Sequence, residues 1–206
     1  LGTITVTSGA GNVSITEADK TNGMDIAAIT RISGTLTLNS GANRIDQSGA
    51  ISVADGAVSL TGGAVTLTQV TNVLGTITVE SGIGDVQLVE NDAISVASIV
   101  RTDGDLTLNA GSNGITQSGA ISIADGATTL NAGTNIILNS SANVLGELDL
   151  IAGNKAIIVE NDKVSGKVEA KSFQVMADDG IDLKDGSVIS SFAALSKSGS
   201  IELANT

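Results

Sequence analysis

Four aspartates, Asp178, Asp179, Asp182 and Asp185, fall within eight residues, and a Glu-x-Asp pair recurs as Glu90/Asp92 and Glu160/Asp162. Hard carboxylate oxygens on loops are what calcium uses. Paired carboxylates also serve polysaccharide hydrolases as acid and base. Each reading has a plainer rival. The glycine-rich nonapeptide of calcium-binding β-rolls is absent, and Asp182 alternates with Ile181 and Leu183 as an outward strand residue does. Carbohydrate chemistry adds cationic groups and stacking rings, yet the chain has no His, Trp or Tyr. Residues 1–144 hold only Lys20, Arg31, Arg44 and Arg101 as basic residues. The expectation is no catalytic residue and no cofactor. Asp178, Asp179, Asp182 and Asp185 are the candidate calcium ligands, set against a reading as solvated acidic surface.

Composition narrows the field further. The 206 residues carry 22 Asp+Glu against 10 Lys+Arg, a net charge of −12, with no Cys or Pro and with Phe173 and Phe192 as the only aromatics. Without His or Cys there is no Ser-His-Asp or Cys-His catalysis, no ordinary zinc site and no disulfide framework. Nucleic-acid binding lacks both a cationic track and stacking platforms. A mean hydropathy of +0.30 argues against disorder. The longest apolar runs, such as Ala156–Val159, are too short to span a bilayer as a helix. The apolar residues are Val, Ile, Leu and Ala, interleaved with Thr, Ser and Asn and broken by 25 glycines, which is the chemistry of strands and turns.

The elements that must position these residues are repeats. LGTITV stands at 1–6 and again at 74–79, with LGELDL at 145–150. NSGANRIDQSGAISVADGA at 39–57 returns as NAGSNGITQSGAISIADGA at 109–127, and VEND occurs at 89–92 and 159–162. These landmarks divide the chain into units 1–73, 74–144 and 145–206. Short alternating strands recur within each unit. Taking Ile4, Leu36, Val58, Ile77, Leu106, Thr128, Leu148, Phe173 and Ala193 as equivalent inward positions predicts one long turn followed by two short ones, three times over. Turns of about 20 residues built from short strands are the signature of a β-solenoid. The predicted fold is an all-β parallel β-helix of about nine coils, a rod on the order of 40 Å long at roughly 4.8 Å per coil. An antiparallel sandwich would need two-residue hairpin turns and has no reason to repeat at 70. The glycine pairs Gly9/Gly11 and Gly82/Gly84 read as corners, because no helix follows to make a dinucleotide site.

The phrases GTLTLNSGANRIDQSGAISVADGAVSLTGGAVTLTQ (34–69) and GDLTLNAGSNGITQSGAISIADGATTLNAGTNIILN (104–139) resemble filamentous-haemagglutinin-type repeats of large bacterial exoproteins. The resemblance implies a right-handed parallel β-helix forming the shaft of a cell-surface or secreted adhesin. It further implies an extracellular location and partners on a host or neighbouring cell, or in the matrix, met through other parts of the protein. The family's secretion domain carries a proline-containing motif, and this chain has no proline.

Leu1 opens a strand in full register and Ser200–Leu203 closes one, so the chain reads as a segment of a longer protein. The rival reading has such open ends pairing between copies as an end-to-end filament. A glycan- or calcium-binding module is the third. Thr3/Thr5, Thr35/Thr37 and Thr76/Thr78 would suit an ice-binding face, but Asp105, Glu147 and Asp149 interrupt it. Asn39 and Asn109, Asn131, Asn43 and Asn113 are expected to hydrogen-bond at strand ends and corners. Charge is uneven: units one and two hold 8 charged residues each and unit three holds 16. Lys163, Lys167 and Lys171 there mark a candidate contact surface against a plainer reading as drift of the repeat.

Overall fold

The computed structural model describes residues 3–7, 9–17 and 21–204. These residues form nineteen strands in one sheet, and every pairing between them is parallel. Alternation explains why. In Leu106–Asn109 the leucines are buried while Thr107 and Asn109 are half-exposed, and Val65–Leu67 and Ile121–Ile123 repeat the pattern. One ladder runs from Met24 through Ile45, Val65, Val86, Leu106, Thr128, Leu148, Gly166 and Leu183 to Leu203. That is ten rungs, so the solenoid has about ten coils, one more than the strand count in the sequence suggests.

Each coil carries three such ladders. Beside the one through Met24, a second joins Ile29 to Ile51 and a third joins Leu36 to Val58 and Ile77. The aliphatic side chains of all three meet in a single continuous core from Met24 to Leu183. Thr128 alone interrupts its ladder with a hydroxyl, which donates to Leu145 O at 2.6 Å. Among the described residues no helix is long and apolar enough to cross a membrane.

The long-short-short rhythm has a different origin from the one expected. Leu36 stacks in turn under Val58, Ile77 and Val96, whereas Leu106, 70 residues later, stands over Val86, Val65 and Ile45. The nine positions therefore do not form one column, and Ala193 is not inward: it pairs with Gln174 and is exposed, while Phe192 stacks on Phe173 and packs against the core. Coils of about 21 residues fit three times into 70 with one side left over, so each sequence unit advances by one side. The apparent long turns are one coil plus that extra side. Every coil along the Met24 ladder is of similar length.

Glycine columns mark the corners where backbones touch. A Cβ on Gly56 would come within 2.0 Å of Gly34 O, and one on Gly126 within 2.1 Å of Gly104 O. These two glycines are 70 residues apart. A side chain at either would wedge the coils apart.

Candidate functional site

The VEND segments place a glutamate at the end of a strand, Glu160 as its last residue and Glu90 just past it, with an aspartate two residues on. Val86–Val89 ends on Leu106–Asn109 above it, and the Glu90 N–H donates to Asn109 O at 3.0 Å. This turns the Glu90 carboxylate into the corner, where its Oε2 accepts the Leu74 N–H at 2.9 Å. Glu160 does the same 70 residues later, its Oε1 accepting the Leu145 N–H at 2.6 Å. Glu90 is 2 % exposed and Glu160 fully buried. The other oxygen of each glutamate, together with Asp92 Oδ1 and Asp162 Oδ1, is buried with no N–H or hydroxyl donor.

A side-chain network supports each pair. The Asn72 amide donates to Gln47 Oε1 at 2.8 Å and to Val89 O at 3.1 Å, and its Oδ1 accepts Gln47 Nε2 and the Ile51 N–H at 2.9 Å each. Asn143 does likewise with Gln117 Oε1, Val159 O, Gln117 Nε2 and the Ile121 N–H. The Asn91 and Asn161 N–H groups donate to Asn72 O and Asn143 O at 2.8 Å. The glutamines are those of the repeated QSGA phrase. Its repetition therefore preserves an internal hydrogen-bond network as well as a turn.

Electrostatics follows from the geometry. Burial pushes the Glu90 carboxyl up to about 9, helped by a side-chain hydrogen bond with Asp92 and by the Asp92 charge, and opposed by the Leu74 N–H. Burial likewise raises Glu160 to about 9, with the Leu145 N–H opposing and Asp162 adding. An acid whose folded pKa lies above its unfolded value near 4.5 stabilises the fold fully below that value, and the contribution is lost as pH rises towards 9. The expected result, in chelator, is a melting midpoint that falls as pH is raised from 5 to 9. General charge repulsion in an acidic chain has the same sign. The diagnostic is therefore the E90Q/E160Q double variant, whose pH profile should be distinctly flatter than that of the parent chain.

The acidic residues singled out earlier lie elsewhere. Asp182 pairs with Lys163 at 2.9 Å and Asp178 with Lys197 at 2.6 Å, while Asp179 Oδ1 accepts the Ser198 hydroxyl and Asp185 is exposed. Among the described residues no three His, Cys, Asp or Glu side chains gather as a metal group. Lys163, Lys167 and Lys171 are exposed along one strand, Lys163–Ala177, with Lys163 engaged by Asp182. Asn39 and Asn109 each accept the N–H of the glycine two residues on, at 2.9 Å, so they close corners. Asn109 also stacks on Asn131.

Two features escaped the sequence reading. Glu17, buried at the matching place in unit one, begins a third Glu-x-Asp, whose Asp19 lies outside the described residues. The signal was a spacing of 73 to Glu90. Arg31 and Arg101, 70 residues apart, turn inward rather than to solvent: Arg101 is fully buried and Arg31 only 9 % exposed. Their guanidinium groups meet the carbonyls of the glycine corners below them.

A family model described as "Repeats of unknown function" (DUF5649) matches residues 10–80 and 83–152, together more than half of the chain. Each matched stretch has the length of the sequence repeat. No curated protein and no solved structure matches the chain.

Proposed function

Because the chain belongs to the family of DUF5649 repeats of unknown function, we propose that it acts as a stiff, non-catalytic shaft within a bacterial cell-surface or secreted protein. Such a shaft holds an adhesive region away from the cell, and contact with host or neighbouring surfaces is made by other parts of the protein. The observation that carries this reading is the ten-rung parallel ladder over a continuous aliphatic core. A solenoid is quasi-one-dimensional and transmits load along its strand ladders. Its acidic surface favours solubility and resists lateral clumping. Electron microscopy of the native protein, with the intact mass of its polypeptide, tests this. Thin cell-attached rods of a polypeptide far heavier than 20.4 kDa support it, and small discrete particles of that mass overturn it.

A second reading is a filament of chains joined end to end, with Ile201 and Leu203, which continue the inward rungs of Ile181 and Leu183, as the positions to test. Lysine at both Ile201 and Leu203 should abolish concentration-dependent elongation in sedimentation experiments. If elongation survives both substitutions, this end is not the joint. Lys167 and Lys171 remain the candidate lateral contact. Reversing both charges should weaken partner capture in a binding assay, and unchanged capture would remove them from consideration.

A further inference from the structure

We propose that each buried Glu–Asp pair, Glu90 with Asp92 and Glu160 with Asp162, holds one hard divalent cation of the calcium class at a corner of the solenoid. This goes beyond the shaft reading and does not rest on it. In both corners one glutamate oxygen and one aspartate oxygen are buried with no N–H or hydroxyl donor, the two carboxyls lying within hydrogen-bond reach of each other. The glutamates are at most 2 % exposed. Two carboxyl groups facing each other in one niche must share either a proton or a cation, because two uncompensated buried carboxylates are very costly.

Among the described residues no lysine or arginine is paired with either corner: the ion pairs go to Asp46, Asp182, Glu147 and Asp178. The nearest fixed donors, the Leu74 and Leu145 N–H groups, each bind the opposite glutamate oxygen. That is how the outer shell of a metal site orients a carboxylate ligand, leaving the second oxygen for the ion. Asn72 and Asn143 hold the backbone on either side, through the Asn91 and Asn161 N–H groups and the Val89 and Val159 carbonyls. Asp92 and Asp162 are only half-buried and Asn91 and Asn161 are exposed, so an ion can enter from solvent and keep water as its remaining ligands. Oxygen-only ligation with few protein ligands suits calcium at low affinity, with half-saturation of about 0.1–1 mM.

Calorimetric titration of the whole chain with calcium chloride, after removal of metal by chelator, is the test. The expected result is saturable uptake, a higher melting midpoint in calcium, and loss of one equivalent in each of E90Q and E160Q. D92N and D162N, altered on the solvent side of each pair, provide the same test should the buried substitutions impair folding. D178N and D182N should leave uptake unchanged. Absence of saturable uptake up to about 10 mM calcium, or uptake unaltered in D92N/D162N, overturns the proposal. So does a chain that takes up no calcium yet melts higher as E90Q/E160Q, because each pair is then completed by a proton.

Discussion

Replacing Arg101 by methionine is expected to destabilise the solenoid by about 2–5 kcal/mol, read as a lower midpoint in urea unfolding. The size follows from what the guanidinium touches. Its Nε donates to Gly84 O at 3.0 Å, its Nη1 to Gly62 O at 3.2 Å, and its Nη2 to Ile83 O at 2.6 Å, to Gly84 O at 2.9 Å and to Gly63 O. Gly62 and Gly63 belong to the coil two below, and Ile83 and Gly84 to the coil directly below. One side chain therefore ties three successive coils at a corner. Burial draws its pKa below the usual value for arginine while Asp85 holds it up, so the group is a paid-for charge satisfied by carbonyl dipoles. Methionine fills a similar volume but leaves the buried Gly62 and Gly63 carbonyls without donors, each a desolvation penalty of about 1–3 kcal/mol before relaxation, while the Ile83 and Gly84 carbonyls turn to solvent. Lysine keeps the charge but lacks the planar fork, so R101K should recover only a minor part of the loss. Arg31 stands one unit earlier, less buried, and its guanidinium reaches Gly11 O. R31M should cost clearly less than R101M. Equal losses from both would mean that the carbonyls of the second coil below contribute nothing.

Arginine also shows where sequence reading stopped. Nothing in the sequence marks Arg31 and Arg101 as interior among the few basic residues, because burial of a guanidinium depends on carbonyls brought in from neighbouring coils. Nothing local to residues 99–103 announces Gly62 and Gly63, almost forty positions away. The inward Val, Ile and Leu positions were legible because alternation is a local rule, and Thr128 was correctly placed among them despite its polarity. The ladder pairing was not. Leu36 and Leu106 sit in matching sequence contexts, which makes stacking them in one column the natural inference. Only the coil length decides otherwise, and a repeat of 70 holds three coils and one side. The VEND repetition was visible, but alternation and charge alone read it as solvated surface. What buries Glu90 and Glu160 is the corner that follows each strand, together with the Leu74 and Leu145 N–H groups 16 and 15 residues earlier in the chain.

The same one-side advance makes the two asparagine networks independent, and this sets the second large expectation. Asn72→Leu should cost about 2–4 kcal/mol, because leucine fills the volume but leaves the Ile51 N–H, the Val89 carbonyl and both ends of the Gln47 amide short of partners. Asn143→Leu should cost about as much for the corresponding reasons at Ile121, Val159 and Gln117. Asn72 adjoins the ladder of Ile29 and Ile51, whereas Asn143 adjoins that of Val79, Ile99 and Ile121. The two share no partner, and sites without shared partners add. The double variant should therefore lose the sum of the two single effects, read in the same urea titration. A double variant no less stable than either single one would show that the networks are coupled through the intervening coils. The 70-residue unit would then be one cooperative block. Additivity would instead make each corner a separate fastening, repeated in chemistry and turned to a new side of the rod with every unit.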